Sequence, residues 1–86
     1  MPKFIDHHLM PPMSPEEFDA LVKQTKSDIL SKKPDKFGVT WLNAFMAGKE
    51  AWGYTEAPDA EAVIKSHAAS GIKLERKDIK EVTPLV

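Results

Sequence analysis

The chain is 86 residues long, 42% hydrophobic and 29% charged, with a formal net charge of −1, so we expect one domain, residues 1–86, around a small core. The charge is balanced and forms no basic stripe, which argues against nucleic acid as a partner. The chain has no cysteine, which excludes disulfides, thiolate metal sites and cysteine catalysis.

The first predicted element is a strand over residues 3–10. The chain enters it directly after Met1-Pro2, without an apolar leader and with no membrane-spanning run elsewhere, so a cytoplasmic location and no membrane partner are expected. Alternation places one set of side chains on one face, namely Phe4, Asp6, His8 and Met10, and the other set on the opposite face, namely Lys3, Ile5, His7 and Leu9. Two prolines then end the strand.

A helix is predicted to begin at Ser14, because Ser14-Pro15-Glu16-Glu17 is a capping box with proline at the first helical position. Its apolar residues recur at helical spacing: Phe18, Leu21, Val22, Ile29 and Leu30. Pro34 predicts the end of this helix.

A hairpin follows, with strands predicted over residues 39–46 and 50–55 and a short turn between them. The large side chains of the hairpin are expected to share one face: Trp41, Phe45, Trp52 and Tyr54. Smaller apolar residues occupy the other face, although a sheet that is covered on one face only should be polar on the other. The hairpin therefore predicts a second covering layer, most simply another copy of the chain.

Asp59 is expected to cap a second helix whose apolar stripe includes Val63, Ile64 and His67, with Gly71 just past its end. A last strand is predicted between Ile79 and Val86. The order strand, helix, strand, strand, helix, strand indicates an α+β, ferredoxin-like βαββαβ fold, with both helices on one face of a four-stranded antiparallel sheet. The open face favours a homodimer that closes sheet against sheet.

This topology brings all three histidines of the chain, His7, His8 and His67, to one end of the molecule. Imidazole is a ligand for nickel, zinc, copper and cobalt, so the sequence suggests a transition-metal site built from His7 or His8 together with His67. Because neighbouring residues of a strand point to opposite faces, at most one of His7 and His8 can face His67.

Two other interpretations remain open at this point. Trp41, Trp52 and Tyr54 could line a pocket for a hydrophobic ligand, with His8 or His67 as a general base. The chain could also be a dimer without a small ligand, such as an accessory subunit.

Several segments resemble a family of small bacterial ferredoxin-like proteins of mostly unassigned function, one branch of which is described as nickel-binding. The resemblance is carried by the opening residues 1–8, the helix start at residues 13–17, and residues 55–63 followed by His67. It implies a homodimer, and His8 and His67 match the family's recurring histidines, whereas His7 occupies an apolar position. The chain departs from the family at Trp52-Gly53, where a cysteine is common.

The leading hypothesis is therefore a small homodimer that binds a divalent transition metal, nickel first, through His8 and His67. It would act as a metal-binding or sensing protein rather than a catalyst. The alternative is a cofactor-free enzyme or a binder of a small hydrophobic ligand. It rests on fold analogy to the dimeric α+β barrel superfamily, whose members include isomerases and monooxygenases with active sites between sheet and helices.

Overall fold

In a computed structural model that describes residues 1–86, the chain forms one four-stranded antiparallel sheet with strand order β2-β3-β1-β4. The elements in chain order are β1 Lys3–Leu9, α1 Pro15–Ser31, β2 Thr40–Ala47, β3 Glu50–Glu56, α2 Ala60–Ala69, a 3₁₀ turn Arg76–Asp78 and β4 Ile79–Val82. The predicted ferredoxin-like βαββαβ fold is confirmed. The last strand is shorter than expected, since it ends at Val82.

The first helix, α1, begins at the predicted capping box. The Ser14 backbone N–H donates to Glu17 Oε1 at 3.0 Å, and the Glu17 N–H donates to Ser14 Oγ at 3.1 Å. No residue of α1 is fully buried, and Leu30 is 80% exposed, so Leu30 does not belong to the inward stripe predicted for this helix. The helix therefore does not close tightly over the sheet.

The second helix, α2, packs more closely. Asp59 caps it by accepting the Ala62 N–H at 2.9 Å, and its buried side includes Val63, Ser66 and His67. The hydrophobic core is a single cluster of eight residues: Phe4, Val39, Ala57, Ala60, Ala62, Val63, Leu74 and Ile79. These residues link α2 to the strands, and the core is thus centred on α2 rather than on α1.

One irregularity in β2 changes which side chains share a face of the sheet. Trp41 pairs with Thr55 and Asn43 pairs with Tyr54, so Leu42 is an extra residue in β2. An extra residue of this kind reverses the alternation of all residues on one side of it. The prediction that Trp41 shares a face with Trp52 and Tyr54 is therefore wrong.

The opposite face of the sheet has no helix over it and carries apolar side chains. Ile5 pairs with Tyr54 on this face, and Trp52 pairs with Phe45, which is 55% exposed. Leu9 is also largely exposed. None of the helices has the length and apolar character that crossing a membrane requires.

Candidate metal centre

Three side chains from two elements converge beneath α2. Asp6 and His8 are two residues apart on β1, so both project toward the helices. His67 lies on the buried side of α2, one turn after Val63. One ligand atom from each of Asp6, His8 and His67 lies within 4.8 Å of the other two, and the group could hold a metal ion.

The tautomer of His67 follows from its surroundings. Its Nδ1 is 2.8 Å from the backbone oxygen of Val63. A carbonyl oxygen can only accept a hydrogen bond, so Nδ1 must carry the proton. In the neutral ring the lone pair is then on Nε2, which lies 3.2 Å from Asp6 Oδ1. This distance is within ion-pair range, but the two atoms do not have hydrogen-bond geometry.

The tautomer of His8 follows in the same way as that of His67. Its Nδ1 is 3.1 Å from the Leu9 backbone oxygen, so this nitrogen is also the donor, and Nε2 is 4.0 Å from Asp6 Oδ1. Metal-binding histidines commonly donate their other ring N–H to a carbonyl or carboxylate, which fixes the tautomer and the ring orientation. Both rings therefore present a free Nε2 to the same carboxylate.

Asp6 is the least satisfied polar residue in this region. It is fully buried, and neither of its carboxylate oxygens has a hydrogen-bond partner. An ionised carboxylate is very costly to bury unless it is paired with a cation or coordinates a metal. Either a proton or a metal ion shared with the histidines would compensate this charge.

The space for this carboxylate comes from Gly53, which lies directly opposite Asp6 in the β1–β3 ladder. A Cβ atom at position 53 would lie 2.5 Å from Asp6 Oδ2 and 3.1 Å from Oδ1. Any side chain at this position would therefore displace the carboxylate or the strand.

Two further contacts hold His67 in place. The Trp41 ring lies against it, with the ring centres 4.9 Å apart. Its neighbour Ser66 donates from Oγ to Asp35 Oδ2 at 2.5 Å, and Asp35 Oδ1 accepts the backbone N–H groups of Phe37 and Val39. The loop before β2 thus fixes the end of α2, and the position of His67 with it.

The distance between His67 and Asp6 is compatible with a shared metal ion. Two ligand atoms that are each about 2.1 Å from one ion lie about 3.0–3.4 Å apart at angles between right and tetrahedral. The 3.2 Å between His67 Nε2 and Asp6 Oδ1 falls in this range. The 4.0 Å between His8 Nε2 and Asp6 Oδ1 is larger than this range, so His8 would have to move closer for one ion to bind all three residues.

His7 lies on the other face of the sheet. Its Nε2 is 3.0 Å from Glu50 Oε1, about half of its side chain is exposed, and its ring centre is 5.1 Å from that of Trp52. Of the three histidines predicted as metal ligands, the structure brings His8 and His67 together and leaves His7 apart. The two adjacent histidines point to opposite faces, as strand geometry requires.

The sequence interpretation missed Asp6 as a member of the site. The available signal was the alternation of β1, which already placed Asp6 on the face of His8. A charged residue on the inward face of a central strand is rarely buried unless it is paired.

A cleft of about 250 Å³ lies between α1 and the sheet, next to the metal-ligand group. His8, His67, Trp41 and Trp52 are among its lining residues, whereas Tyr54 is not. The predicted aromatic pocket of Trp41, Trp52 and Tyr54 therefore does not form as one surface, because Tyr54 does not line this cleft and Trp41 lies on the other face of the sheet from Trp52 and Tyr54.

The fold and the site together define a small ferredoxin-like α+β protein with a buried Asp–His–His group that could hold a metal ion. Comparison of the chain with protein-family models, with curated proteins and with solved structures found no match.

Proposed function

We propose that this protein binds a divalent transition metal through Asp6, His8 and His67 and serves in metal binding or sensing. The proposal rests on the arrangement of the two imidazoles around the carboxylate. Both imidazoles donate their Nδ1–H groups to backbone carbonyls, and both direct the remaining nitrogen toward a buried carboxylate that has no hydrogen-bond partner.

A structural role alone accounts poorly for this arrangement. A buried aspartate that serves only the fold is normally hydrogen-bonded by backbone N–H or hydroxyl groups, as Asp35 is in this chain. Asp6 has no such donors, and Gly53 leaves room for its carboxylate. The free energy of burying Asp6 would be recovered when a cation binds.

Nickel is the first choice of metal. Imidazole nitrogens suit nickel, copper, zinc and iron, and the affinity of such sites rises from iron through cobalt and nickel to copper. The imidazole and carboxylate donors favour these transition metals, and the resemblance to a family with a nickel-binding branch favours nickel among them. When bound, the ion would supply a positive charge and open coordination positions next to the cleft.

We also propose that the protein is a homodimer that associates through the open face of its sheet. This face includes Ile5, Leu9, Phe45, Trp52 and Tyr54, and no helix covers it. Exposed apolar patches on small proteins commonly mark interaction surfaces. The resemblance also implies such a dimer, which would bury His7 and Glu50 near the contact and leave the metal-ligand group on the helix side.

Calorimetric titration of the metal-free protein with Ni²⁺, using protein prepared without a histidine tag, tests the metal proposal. We expect one ion per chain at micromolar or lower concentration. His8→Ala, His67→Ala and Asp6→Asn should each weaken binding by at least about tenfold.

His7→Ala is the matched control, because His7 is the neighbour of His8 on β1 but lies on the opposite face. Its affinity for Ni²⁺ should equal that of the wild type. Absence of heat at micromolar concentrations, or unchanged binding in the His8 and His67 variants, would exclude the site.

A further inference from the structure

The cleft between α1 and the sheet is continuous with the proposed metal site, because His8 and His67 belong to both. Asp6 lies behind them and does not line the cleft. A metal ion held by the three residues would therefore be reached from the cleft side, past the two imidazoles.

The lining of this cleft is mostly hydrophobic. The first helix contributes Leu21, Val22 and Ile29 to it, and none of these is fully buried. The apolar stripe of α1 thus faces a space rather than a packed core, although well-packed interiors rarely leave a space this large.

Lys26 is the one lysine or arginine among the residues that line the cleft, and no aspartate or glutamate lines it. Two neutral imidazoles and one carboxylate would also leave a divalent ion with a net positive charge. An anionic group is therefore the donor that best completes the coordination of the metal from this side.

The size of the cleft limits what could enter. A dry apolar cavity of about 150 Å³ is large enough to bind benzene, and this cleft measures about 250 Å³. It has room for one ring or a short branched chain together with a small polar group. Met10 and Met46 are at its wall, and methionine side chains adapt readily to ligands of different shape.

We propose that the cleft binds a small monocarboxylic acid with an apolar body, whose carboxylate coordinates the metal ion held by Asp6, His8 and His67. The apolar body would lie against Leu21 and Ile29. This inference rests on the proposed metal-binding function and adds the class of ligand that the site would take.

The test uses the full chain loaded with Co²⁺, whose visible absorption reports on the groups bound to the metal. Phenylacetate and acetate are titrated separately, since acetate has the same carboxylate without the ring. Phenylacetate should change the cobalt spectrum in a saturable way and bind at least about tenfold more tightly than acetate, because its ring is removed from water.

Two variants separate the cleft from the metal site. Ala44→Leu would fill part of the cleft and should weaken phenylacetate binding at least about fivefold, by steric exclusion. Lys26→Glu changes an exposed side chain, so it should fold normally, and it should weaken phenylacetate binding by about two- to fivefold at low salt. Lys65→Glu, an exposed charge reversal on α2, is the control and should bind like the wild type.

The outcomes are distinct. A cobalt spectrum that phenylacetate does not change, or equal affinities for phenylacetate and acetate, would overturn the ligand proposal and leave the metal site intact. Failure of Co²⁺ and Ni²⁺ to bind at all would overturn the proposed function and this inference with it. Tight phenylacetate binding that both Ala44→Leu and Lys26→Glu leave unchanged would place the ligand elsewhere and would also overturn the inference.

Discussion

Gly53 faces Asp6 across the β1–β3 ladder, and a methyl group on Gly53 would lie 2.5 Å from the nearer carboxylate oxygen. The buried Asp6 carboxylate therefore fits only because the neighbouring strand has no side chain at this position. Gly53 thus leaves the space that the Asp6 carboxylate occupies beneath His67.

Gly53→Ala should therefore weaken Ni²⁺ binding at least about tenfold and lower the free energy of unfolding by about 1–3 kcal/mol, because the added methyl group overpacks the site. Calorimetry and urea unfolding measure the two effects. In an Asp6→Ala background the added methyl group has space, so the loss of stability should be much smaller. An equal loss in both backgrounds would mean that the backbone of β3, and not the Asp6 carboxylate, requires glycine.

Asp6→Asn should separate stability from metal binding. It replaces a buried carboxylate that lacks hydrogen-bond donors by a neutral amide of the same shape, which costs less free energy to bury. The metal-free variant should be as stable as the wild type or up to about 2 kcal/mol more stable, although it binds Ni²⁺ poorly. Urea unfolding in the presence of a chelator measures this difference. A clear loss of stability would instead indicate a protonated His67 paired with Asp6.

Metal binding should stabilise the folded chain and chelation should reverse the effect. At a free Ni²⁺ concentration of 100 times Kd, the free energy of unfolding should rise by about 2.7 kcal/mol if the unfolded chain does not bind the ion. Thermal unfolding with and without Ni²⁺ measures the rise, and His7→Ala should show all of it. A similar rise in His67→Ala would point to binding at another site.

The proposed dimer makes Phe45 a sensitive position, since its side chain is 55% exposed on the open face of the sheet. Phe45→Glu places a charge in the contact and should weaken association at least about tenfold. Sedimentation velocity over a range of concentrations measures this. Leu30→Glu is the control, because Leu30 is even more exposed but lies on α1, away from the sheet face. A wild-type chain that is monomeric at micromolar concentration would contradict the dimer.

The capping box of α1 should show a pH dependence of its own. Hydrogen bonds from the Ser14 backbone and then from the Ser14 side chain lower the pKa of Glu17 below its ordinary value of 4.5. Because the pKa is lower in the folded chain, the ionised Glu17 side chain stabilises the fold at pH values above the pKa of the unfolded chain. This stabilisation is lost as the pH falls through the pKa of the folded chain. Glu17→Gln should remove it, and an NMR titration of the Glu17 carboxyl group checks the direction. A pKa at or above 4.5 would contradict the capping assignment.

Much of this fold could be predicted because its signals are local. The Ser14 capping box, the Asp59 cap and the order of the elements depend on neighbouring residues, and they were sufficient for the βαββαβ topology. The alternation of β1 likewise separates His7 from His8 and places Asp6 beside His8. Such patterns follow from the repeat of a strand or helix and require no knowledge of the rest of the chain.

The extra residue at Leu42 and the contact between His67 and Asp6 depend on the assembled structure. The bulge has no clear local sequence signal, because it adjusts β2 to the register of β3. As a result, Trp41 lies on the face of His67 and not on the face of Trp52. The metal-ligand group likewise depends on how far α2 reaches along β1 and on the absence of a side chain at Gly53. The sequence by itself determined the elements and the faces of β1, and only tertiary packing decided which side chains meet, because those distances are set by contacts between residues far apart in the chain.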